Sequence, residues 1–244
     1  MLNCYITTDI NIYIPWLNNI YSEPTSHDSE YILINHEDMF YYKNNQKIYS
    51  AKQCYQSVLI GQHSSILQMI KRQNKYPTVI LDATCGWGKD TISFAQAGIS
   101  VIAYEREIIP ASFFYYALEK IFFSLKNKIE FHFECFSHHQ IEKIDCVYID
   151  PLFFDQKKSL SKKSMELLYE LTDLNEYSQI ITLAKGLYRL SCHTIITKTP
   201  RKAPAIFKDI MNHSRFNRTC RFDIYYVNHL RLNDNYLNMT LYDD

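Results

Sequence analysis

The chain has 244 residues, of which 47% are hydrophobic and 21% are charged, and this composition excludes a disordered chain. Lysine plus arginine and aspartate plus glutamate both number 26, which excludes a strongly basic nucleic-acid-binding protein as a description of the whole chain. A chain of this length forms one large domain, or one domain with a small appendage. The seven cysteines include no CxxC pair, so we expect reduced thiols in a cytoplasmic protein. Neither a signal peptide nor an apolar run of about 18 residues is recognisable, so we also expect no membrane association.

The amino-terminal part differs in composition from the rest. Residues 1–50 contain six acidic and two basic side chains, and short apolar runs such as 31–34 alternate with turn-prone clusters such as 22–26. This pattern predicts a small β-rich appendage over residues 1–55, followed by the main domain over residues 56–244. Apolar residues from 56 to 71 recur at helical spacing and predict one helix at the start of that domain.

From residue 78 onward, short apolar runs alternate with helical patterns, which is typical of an α/β fold with a doubly wound, mostly parallel sheet. The predicted strands are 79–81, 99–104, 129–133, 146–149, 194–197 and 221–227. The predicted helices are 90–97, 110–125, 162–171 and 177–190.

The segment VILDATCGWGKD, residues 79–90, reads as a strand, a glycine-containing loop and the start of a helix. Gly86 and Gly88 would let the backbone approach a ligand closely, beside the N–H groups of the helix. A dinucleotide-binding GxGxxG motif needs a third glycine where Thr91 stands, so this interpretation is weak. The alternative ligand is S-adenosylmethionine, whose cationic amino group would suit Asp82. Glu105, nineteen residues after Gly86 at the end of the next strand, is placed to bind a ribose diol.

The second informative segment is CVYIDPLFF, residues 146–154. In an open α/β sheet the ends of the central strands border the ligand crevice. There Asp150 and the carbonyl of Pro151 could accept hydrogen bonds from an exocyclic amine and orient its lone pair towards a methyl donor. Phe153 or Phe154 could stack on the base that carries the amine. The structural alternative is a strand that ends at a proline turn with two core phenylalanines.

Basic residues are concentrated in the second half of the chain. The proposed catalytic loop is followed directly by Lys157, Lys158, Lys162 and Lys163. The segment from residue 185 to residue 221 contains nine basic residues and one acidic residue. Such residues can hold phosphates without reading sequence. We expect no metal site, because the adjacent histidines His138 and His139 have no cysteine or aspartate at a spacing suitable for a shared metal ion.

Six segments of this sequence together resemble the ribosomal RNA small-subunit methyltransferase J family, in the order in which that family has them. The segments are LDATCGWGKD, AYER, YIDPLFF, QKKSLSKKSM, KTPRKAP and RFDIYY, and the resemblance as a whole covers roughly residues 56–227. The resemblance implies a class I methyltransferase fold, S-adenosylmethionine as cofactor, and methylation of the N2 amine of a guanosine in 16S rRNA or the small ribosomal subunit.

The resemblance and the residue patterns together assign candidate site residues. The catalytic candidates are Asp150, Pro151 and Phe153. The cofactor-binding candidates are Asp82, Thr84, Gly86, Gly88, Lys89, Asp90, Glu105, Arg106, Cys135, Phe136 and Asp150. The RNA-binding candidates are Lys157, Lys158, Lys162, Lys163, Lys198 and Arg201.

Two other functions remain open from the sequence. The acid–proline–aromatic loop also suits an amino-methyltransferase with another acceptor, such as adenine in DNA or a glutamine in a protein. The family has a glycine-rich run where this chain has residues 59–65 with one glycine, which leaves open a non-catalytic RNA-binding relic of the fold.

Overall fold

The structure is a computed structural model of the full chain, and the residues that it describes are 2–6, 12–17, 20–21, 24, 29–61, 65–70, 76–136, 144–151, 192, 194–205, 213–218 and 220–226. These residues form two β-sheets, four α-helices and one 3₁₀ helix.

The amino-terminal sheet has five strands. They are β1 (Asn3–Ile6), β2 (Ile20–Tyr21), β3 (Glu30–Ile34), β4 (Met39–Lys43) and β5 (Gln46–Ser50), in the spatial order β2-β1-β3-β4-β5. Asn44 and Asn45 link β4 to β5 with positive φ angles of 49° and 59°, as a tight two-residue hairpin turn requires. The predicted β-rich amino-terminal segment is therefore confirmed.

Two helices, α1 (Ala51–Leu59) and α2 (Ser65–Ile70), follow this sheet. The prediction of a single helix over 56–71 is wrong. The first helix begins earlier, because the Ser50 side chain accepts a hydrogen bond from the backbone N–H of Gln53 and caps it. It ends near Gly61, which has a φ of +75°. The proposed boundary between residues 55 and 56 falls inside α1, and the division into two units stays a prediction.

The main sheet has seven strands. They are β6 (Val79–Asp82), β7 (Ser100–Glu105), β8 (Ile129–Phe133), β9 (Cys146–Ile149), β10 (Thr194–Pro200), β11 (His213–Phe216) and β12 (Cys220–Tyr226). The order is β11-β12-β10-β9-β6-β7-β8, with β12 antiparallel to both of its neighbours and the other contacts parallel. The predicted doubly wound, mostly parallel sheet is confirmed. The strand β11 was not predicted, because its sequence HSRF is polar and does not alternate.

The chain runs from β6 outward to β8 and then returns to β9 on the other side of β6. This reversal places a topological switch point between β6 and β9, where open α/β sheets bind ligands at the carboxyl ends of the strands. The helices α3 (Lys89–Gln96) and α4 (Ile108–Lys120) connect β6 to β7 and β7 to β8, with a 3₁₀ helix (Phe123–Lys128) after α4. The helices predicted at 162–171 and 177–190 lie outside the described residues.

The amino-terminal sheet and the main sheet share one apolar core. Two polar contacts, one partly buried and one buried, also connect the amino-terminal segment and α1 to the main domain. Trp16 Nε1 donates to Ser112 Oγ on α4 at 3.0 Å, and Tyr55 Oη on α1 donates to the carbonyl of Trp87 at 2.8 Å. Because Trp87 lies in the loop after β6, α1 supports the region where the sequence predicts the cofactor.

Gly88 ends that loop under a double constraint. Its φ is +70°, and a Cβ added there would lie 2.1 Å from the Phe114 ring. We expect Gly88→Ala to lower the free energy of unfolding by about 2–5 kcal/mol, the sum of left-handed strain and overpacking. Gly98→Ala is the matched control, because Gly98 has a φ of +90° but open space around it. Urea unfolding of both variants measures the difference, and equal losses would contradict a packing role for Gly88.

Candidate active site

The loop of residues 83–88 crosses the carboxyl ends of three neighbouring strands. The backbone N–H of Ala83 donates to the carbonyl of Tyr148 on β9 at 3.0 Å, and that of Cys85 donates to the carbonyl of Tyr104 on β7 at 2.9 Å. Gly86 turns the chain with a φ of +56°. The loop is therefore fixed to the sheet on both sides of β6.

Asp82, the last residue of β6, is buried beneath this loop. Its carboxylate accepts hydrogen bonds from the Thr84 N–H at 3.3 Å and from the Thr91 hydroxyl at 2.5 Å. Burial raises the pKa of Asp82 to about 7. Thr91 stands where a dinucleotide-binding motif has its third glycine, and here its hydroxyl is used to bond the buried Asp82 carboxylate. The predicted contact of Asp82 with a cationic amino group stays a prediction.

Glu105, the last residue of β7, holds the loop from the other side. Its Oε2 accepts from the N–H of Gly86 at 2.6 Å, and its Oε1 accepts from the N–H of Glu107 at 2.7 Å. Burial raises the pKa of Glu105 to about 7, although these backbone donors oppose the shift. The sequence expectation that Glu105 binds a ribose is not tested by this arrangement, which shows that the side chain also shapes the loop.

A charged cluster lies where β9 and β10 end. The Lys198 ammonium is 2.5 Å from Asp150 Oδ2 and 3.5 Å from Asp90 Oδ2. The Tyr148 hydroxyl donates to the same Asp90 oxygen at 2.6 Å, and the backbone N–H of Asp150 donates to Thr84 Oγ1 at 2.7 Å. One cation thus joins two carboxylates from different elements, and a hydroxyl of the cofactor loop holds the Asp150 backbone.

The electrostatics of this cluster follow from its partial burial. Desolvation raises the pKa of Asp150, the Lys198 ammonium opposes the shift, and the Asp90 carboxylate adds to it. Desolvation alone would lower the pKa of Lys198, but the carboxylates of Asp150 and Asp90 outweigh it and raise that pKa. Lys198 is therefore a stable cation that favours the ionised form of Asp150.

Lys198, one of the RNA-binding candidates, has its ammonium in contact with two carboxylates within the candidate site. The reason is that β10 runs parallel to β9 with Thr197 beside Ile149, so their next residues meet at one edge. The assignment of Lys198 to RNA binding stays a prediction. Arg201, the other RNA-binding candidate in the described residues, is exposed. The four lysines at positions 157, 158, 162 and 163 and the Phe153 side chain lie outside the described residues.

The remaining cofactor-binding candidates occupy different environments. Lys89 opens α3, and the Arg106 guanidinium pairs with Glu107 at 3.1 Å. Cys135 is exposed after β8. Phe136 is buried, with its ring centroid 5.1 Å from that of Tyr104, so its side chain belongs to the core. All these assignments stay predictions.

Sequence reasoning missed Tyr148 and the bond made by Thr91. Tyr148 lies in a strand whose residues are all buried, and such a strand is read as core. A tyrosine two residues before a strand-end acid, on a strand beside the glycine loop, is the signal that could have indicated its bond to Asp90.

The side chains at this edge suit a cationic ligand. Four carboxylates, from Asp82, Asp90, Glu105 and Asp150, lie at or just beyond the ends of β6, β7 and β9. The Lys198 ammonium contacts two of them, Asp90 and Asp150. Excess negative charge of this kind matches the sulfonium and amino groups of S-adenosylmethionine.

Within the described residues, no group of three or more His, Cys, Asp or Glu side chains could hold a metal ion. Of the helices described, none is long and apolar enough to cross a membrane.

Comparison with known proteins agrees with this geometry. The model of a family described as "Putative SAM-dependent methyltransferase" matches residues 48–227. The ribosomal RNA small subunit methyltransferase J of Buchnera aphidicola subsp. Acyrthosiphon pisum (strain APS) is 30% identical over 213 residues, which are 80% of this chain and 86% of the relative. The protein of that name from Dechloromonas aromatica (strain RCB) is 30% identical over 158 residues, 60% of this chain and 63% of the relative.

Among solved structures, a SAM-dependent methyltransferase from Neisseria gonorrhoeae superposes with a TM-score of 0.61 and 20% identity, over 85% of this chain and 86% of that one. The fold and the match to the family model define a class I methyltransferase that uses S-adenosylmethionine. Within that class, the chain belongs to the ribosomal RNA small subunit methyltransferase J family.

The raised pKa values of Asp82 and Glu105 predict pH-dependent cofactor binding. A cationic ligand binds the ionised carboxylates more tightly, so affinity should rise between pH 6 and pH 8, by up to about tenfold for each carboxyl group. Isothermal titration with S-adenosylmethionine at several pH values measures this rise.

The Glu105→Gln variant removes one of the two groups and should show a smaller rise with pH. The comparison with the parent cancels the titration of the ligand itself. Thermal unfolding of both proteins should accompany it, because Glu105 also accepts two backbone hydrogen bonds. An identical pH profile in a folded variant would exclude Glu105 as a titrating group in binding.

Proposed function

We propose that this protein transfers a methyl group from S-adenosylmethionine to the N2 amine of a guanosine in 16S rRNA or the small ribosomal subunit, in the cytoplasm. Membership of the family and the names of the relatives support the rRNA substrate. The main structural support for this reaction is the position of Asp150. This residue follows β9, its backbone N–H bonds to Thr84 of the cofactor loop, and its carboxylate contacts Lys198.

The two carboxylate oxygens of Asp150 differ in their contacts. Lys198 occupies Oδ2, while Oδ1 has no hydrogen-bond partner among the described residues, and the side chain is 33% exposed. An exocyclic amine is conjugated with its ring and is a poor nucleophile. Hydrogen bonds from that amine to Asp150 Oδ1 and to the carbonyl of Pro151 would localise the lone pair and aim it at the methyl group.

The cofactor, when bound, supplies an electrophilic methyl group. The amine nitrogen gains positive charge as the new C–N bond forms, and the Asp150 carboxylate stabilises that charge because it is already in place. Asp150 then accepts the proton that the nitrogen loses. Lys198 favours the ionised form of Asp150, and the hydrogen bond from the Asp150 backbone N–H to Thr84 Oγ1 ties the end of β9 to the loop.

RNA binding is proposed for two sets of residues. From their position in the sequence directly after Asp150, Lys157, Lys158, Lys162 and Lys163 would contact phosphates, and Phe153 would stack on the target base. Arg201 is proposed as a further phosphate contact. Phosphate contacts of this kind position an RNA without reading its sequence.

The direct test uses S-adenosylmethionine with a labelled methyl group. The purified protein is incubated with small ribosomal subunits, naked 16S rRNA and duplex DNA, and each product is digested to nucleosides. Label in N2-methylguanosine from the ribosomal substrates alone is the expected result. Label in methyladenine from DNA, or in the protein fraction, would overturn the proposed acceptor. No label together with no binding of the cofactor would favour the non-catalytic relic.

Replacement of Asp150 tests the mechanism. We expect Asp150→Asn and Asp150→Ala to reduce single-turnover methylation by about 10²–10³-fold or more, because a preorganised charge acceptor is lost. Affinity for S-adenosylmethionine should stay within several-fold of the parent. The control is Asp145→Asn, at the opposite end of β9, where the carboxylate accepts bonds from the backbone of Thr78 and Val79. Near-parental turnover in Asp150→Asn would remove Asp150 from the reaction.

A charge reversal tests the proposed lysine contacts. Lys162→Glu combined with Lys163→Glu should weaken binding of 16S rRNA and reduce its dependence on salt, and should leave the affinity for the cofactor unchanged. Lys43→Glu combined with Lys47→Glu makes the same charge change on the β4–β5 hairpin and should have little effect on RNA binding. Equal RNA affinity of both double variants across a salt titration would reject the assignment.

A further inference from the structure

An exposed aromatic ring with basic neighbours lies at the outer end of the sheet edge that carries the active site. Phe216, the last residue of β11, is 59% exposed. The guanidinium carbon of Arg201 lies 5.8 Å from the centroid of its ring. Lys202 and Arg218 are exposed on the adjoining turns. We call Arg201, Lys202, Phe216 and Arg218 the 216 surface.

The backbone under this surface is held by a buried ion pair. Arg221 on β12 contacts Asp223 with Nε at 2.7 Å from Oδ1, and Asp223 is fully buried. The same guanidinium donates to the carbonyl of Ala203 at 2.8 Å and so fixes the turn that carries Arg201 and Lys202. The charge of Arg221 is thereby neutralised by Asp223, and the backbone that carries Arg201 and Lys202 is fixed.

The turn between β11 and β12 is closed in a similar way. The N–H of Asn217 donates to the carbonyl of Cys220 at 3.0 Å, and the N–H of Cys220 donates to Asn217 Oδ1 at 2.6 Å. Phe216 and Arg218 flank Asn217. The two bonds fix the backbone of Asn217 beside these exposed side chains, which lowers the entropy cost of binding a ligand.

The charges of the 216 surface are not neutralised within the part of the chain that the structure describes. There, Arg201, Lys202 and Arg218 form no ion pair with an acidic side chain. A second exposed phenylalanine provides the contrast. Phe123 also has a cation over its ring, Lys126 at 5.9 Å, but that lysine is paired with Glu119 at 2.6 Å. Only the first arrangement combines a ring with unneutralised positive charge.

The 216 surface lies close to the proposed catalytic group. Arg201 follows Lys198 by three residues along the end of β10, which corresponds to about 10 Å of extended chain. Lys198 itself contacts Asp150. Nucleotides that flank a base held at Asp150 could therefore reach the 216 surface.

We propose that the 216 surface binds a single-stranded RNA segment next to the methylated nucleotide, an inference that rests on the proposed function. An unpaired base stacks on the Phe216 ring, and Arg201, Lys202 and Arg218 contact the neighbouring phosphates. A single strand fits better than a duplex, because a base in a duplex has no free face for an aromatic side chain. The surface is distinct from the lysines that follow Asp150 in the sequence.

The test compares Phe216→Ala with Phe216→Tyr and with Phe123→Ala as the matched control. The affinities for naked 16S rRNA, for small ribosomal subunits and for S-adenosylmethionine are measured for each protein. Phe216→Ala should weaken binding of both ribosomal substrates by roughly tenfold, within the range of about 5- to 150-fold expected for one stacked base. Phe216→Tyr keeps the ring and should bind like the parent, as should Phe123→Ala. Cofactor affinity should be the same in all four proteins.

The phosphate contacts have a separate readout. Lys202→Gln combined with Arg218→Gln should reduce the slope of log affinity against log salt concentration by about 1.4, since each contact with single-stranded RNA contributes about 0.7. An unchanged slope would overturn the assignment of these two side chains.

The outcomes separate this inference from the proposed function. Absence of methyl transfer to rRNA by the parent protein would defeat the proposed function, whatever the variants do. Methyl transfer by the parent with equal RNA affinities of Phe216→Ala and Phe123→Ala would overturn the 216 surface alone. Weaker binding of small subunits without weaker binding of naked 16S rRNA would assign the surface to a ribosomal protein and would also overturn it.

Discussion

The ammonium of Lys198 lies between the carboxylates of Asp90 and Asp150, and the geometry of the site depends on that contact. The two acids come from the start of α3 and the end of β9, and without a cation between them their charges would repel one another at a partly buried position. The Tyr148 hydroxyl shares the Asp90 oxygen and so takes part in the same cluster. Electrostatic contacts here join three elements that are distant in sequence, and Asp150 Oδ1 has no hydrogen-bond partner among the described residues.

The cofactor loop is shaped by the acids on both sides of it. Asp82 and Glu105 each use their oxygens to hold loop or strand-end groups, and both are buried enough to have raised pKa values. These side chains therefore connect the conformation of the loop to the protonation state of the site. A cationic ligand would favour the ionised forms, so ligand binding and loop order are linked through the same carboxyl groups.

The amino-terminal sheet and α1 pack against the main domain and support the cofactor loop. The core of the amino-terminal sheet is continuous with that of the main sheet, and Tyr55 on α1 reaches the carbonyl of Trp87 within the loop. Gly88, the next residue, has to leave room for Phe114 from α4. The loop is thus packed between α1 and α4, and a change in either helix would reach the position of the proposed cofactor. A family match that begins at residue 48, just before α1, agrees with this role of the helix.

Much of this protein could be predicted from its sequence, because apolar runs and glycine positions are local signals. The alternation of strands and helices predicted the mostly parallel sheet, and the acids at the ends of β6, β7 and β9 were identified as candidates. The polar strand β11 and the break at Gly61 were missed, since neither leaves a periodic pattern. Only the tertiary structure decided which charges meet. The register of β10 against β9 brings Lys198 to Asp150 across 48 residues of sequence, and no local pattern carries the information for a contact of that range.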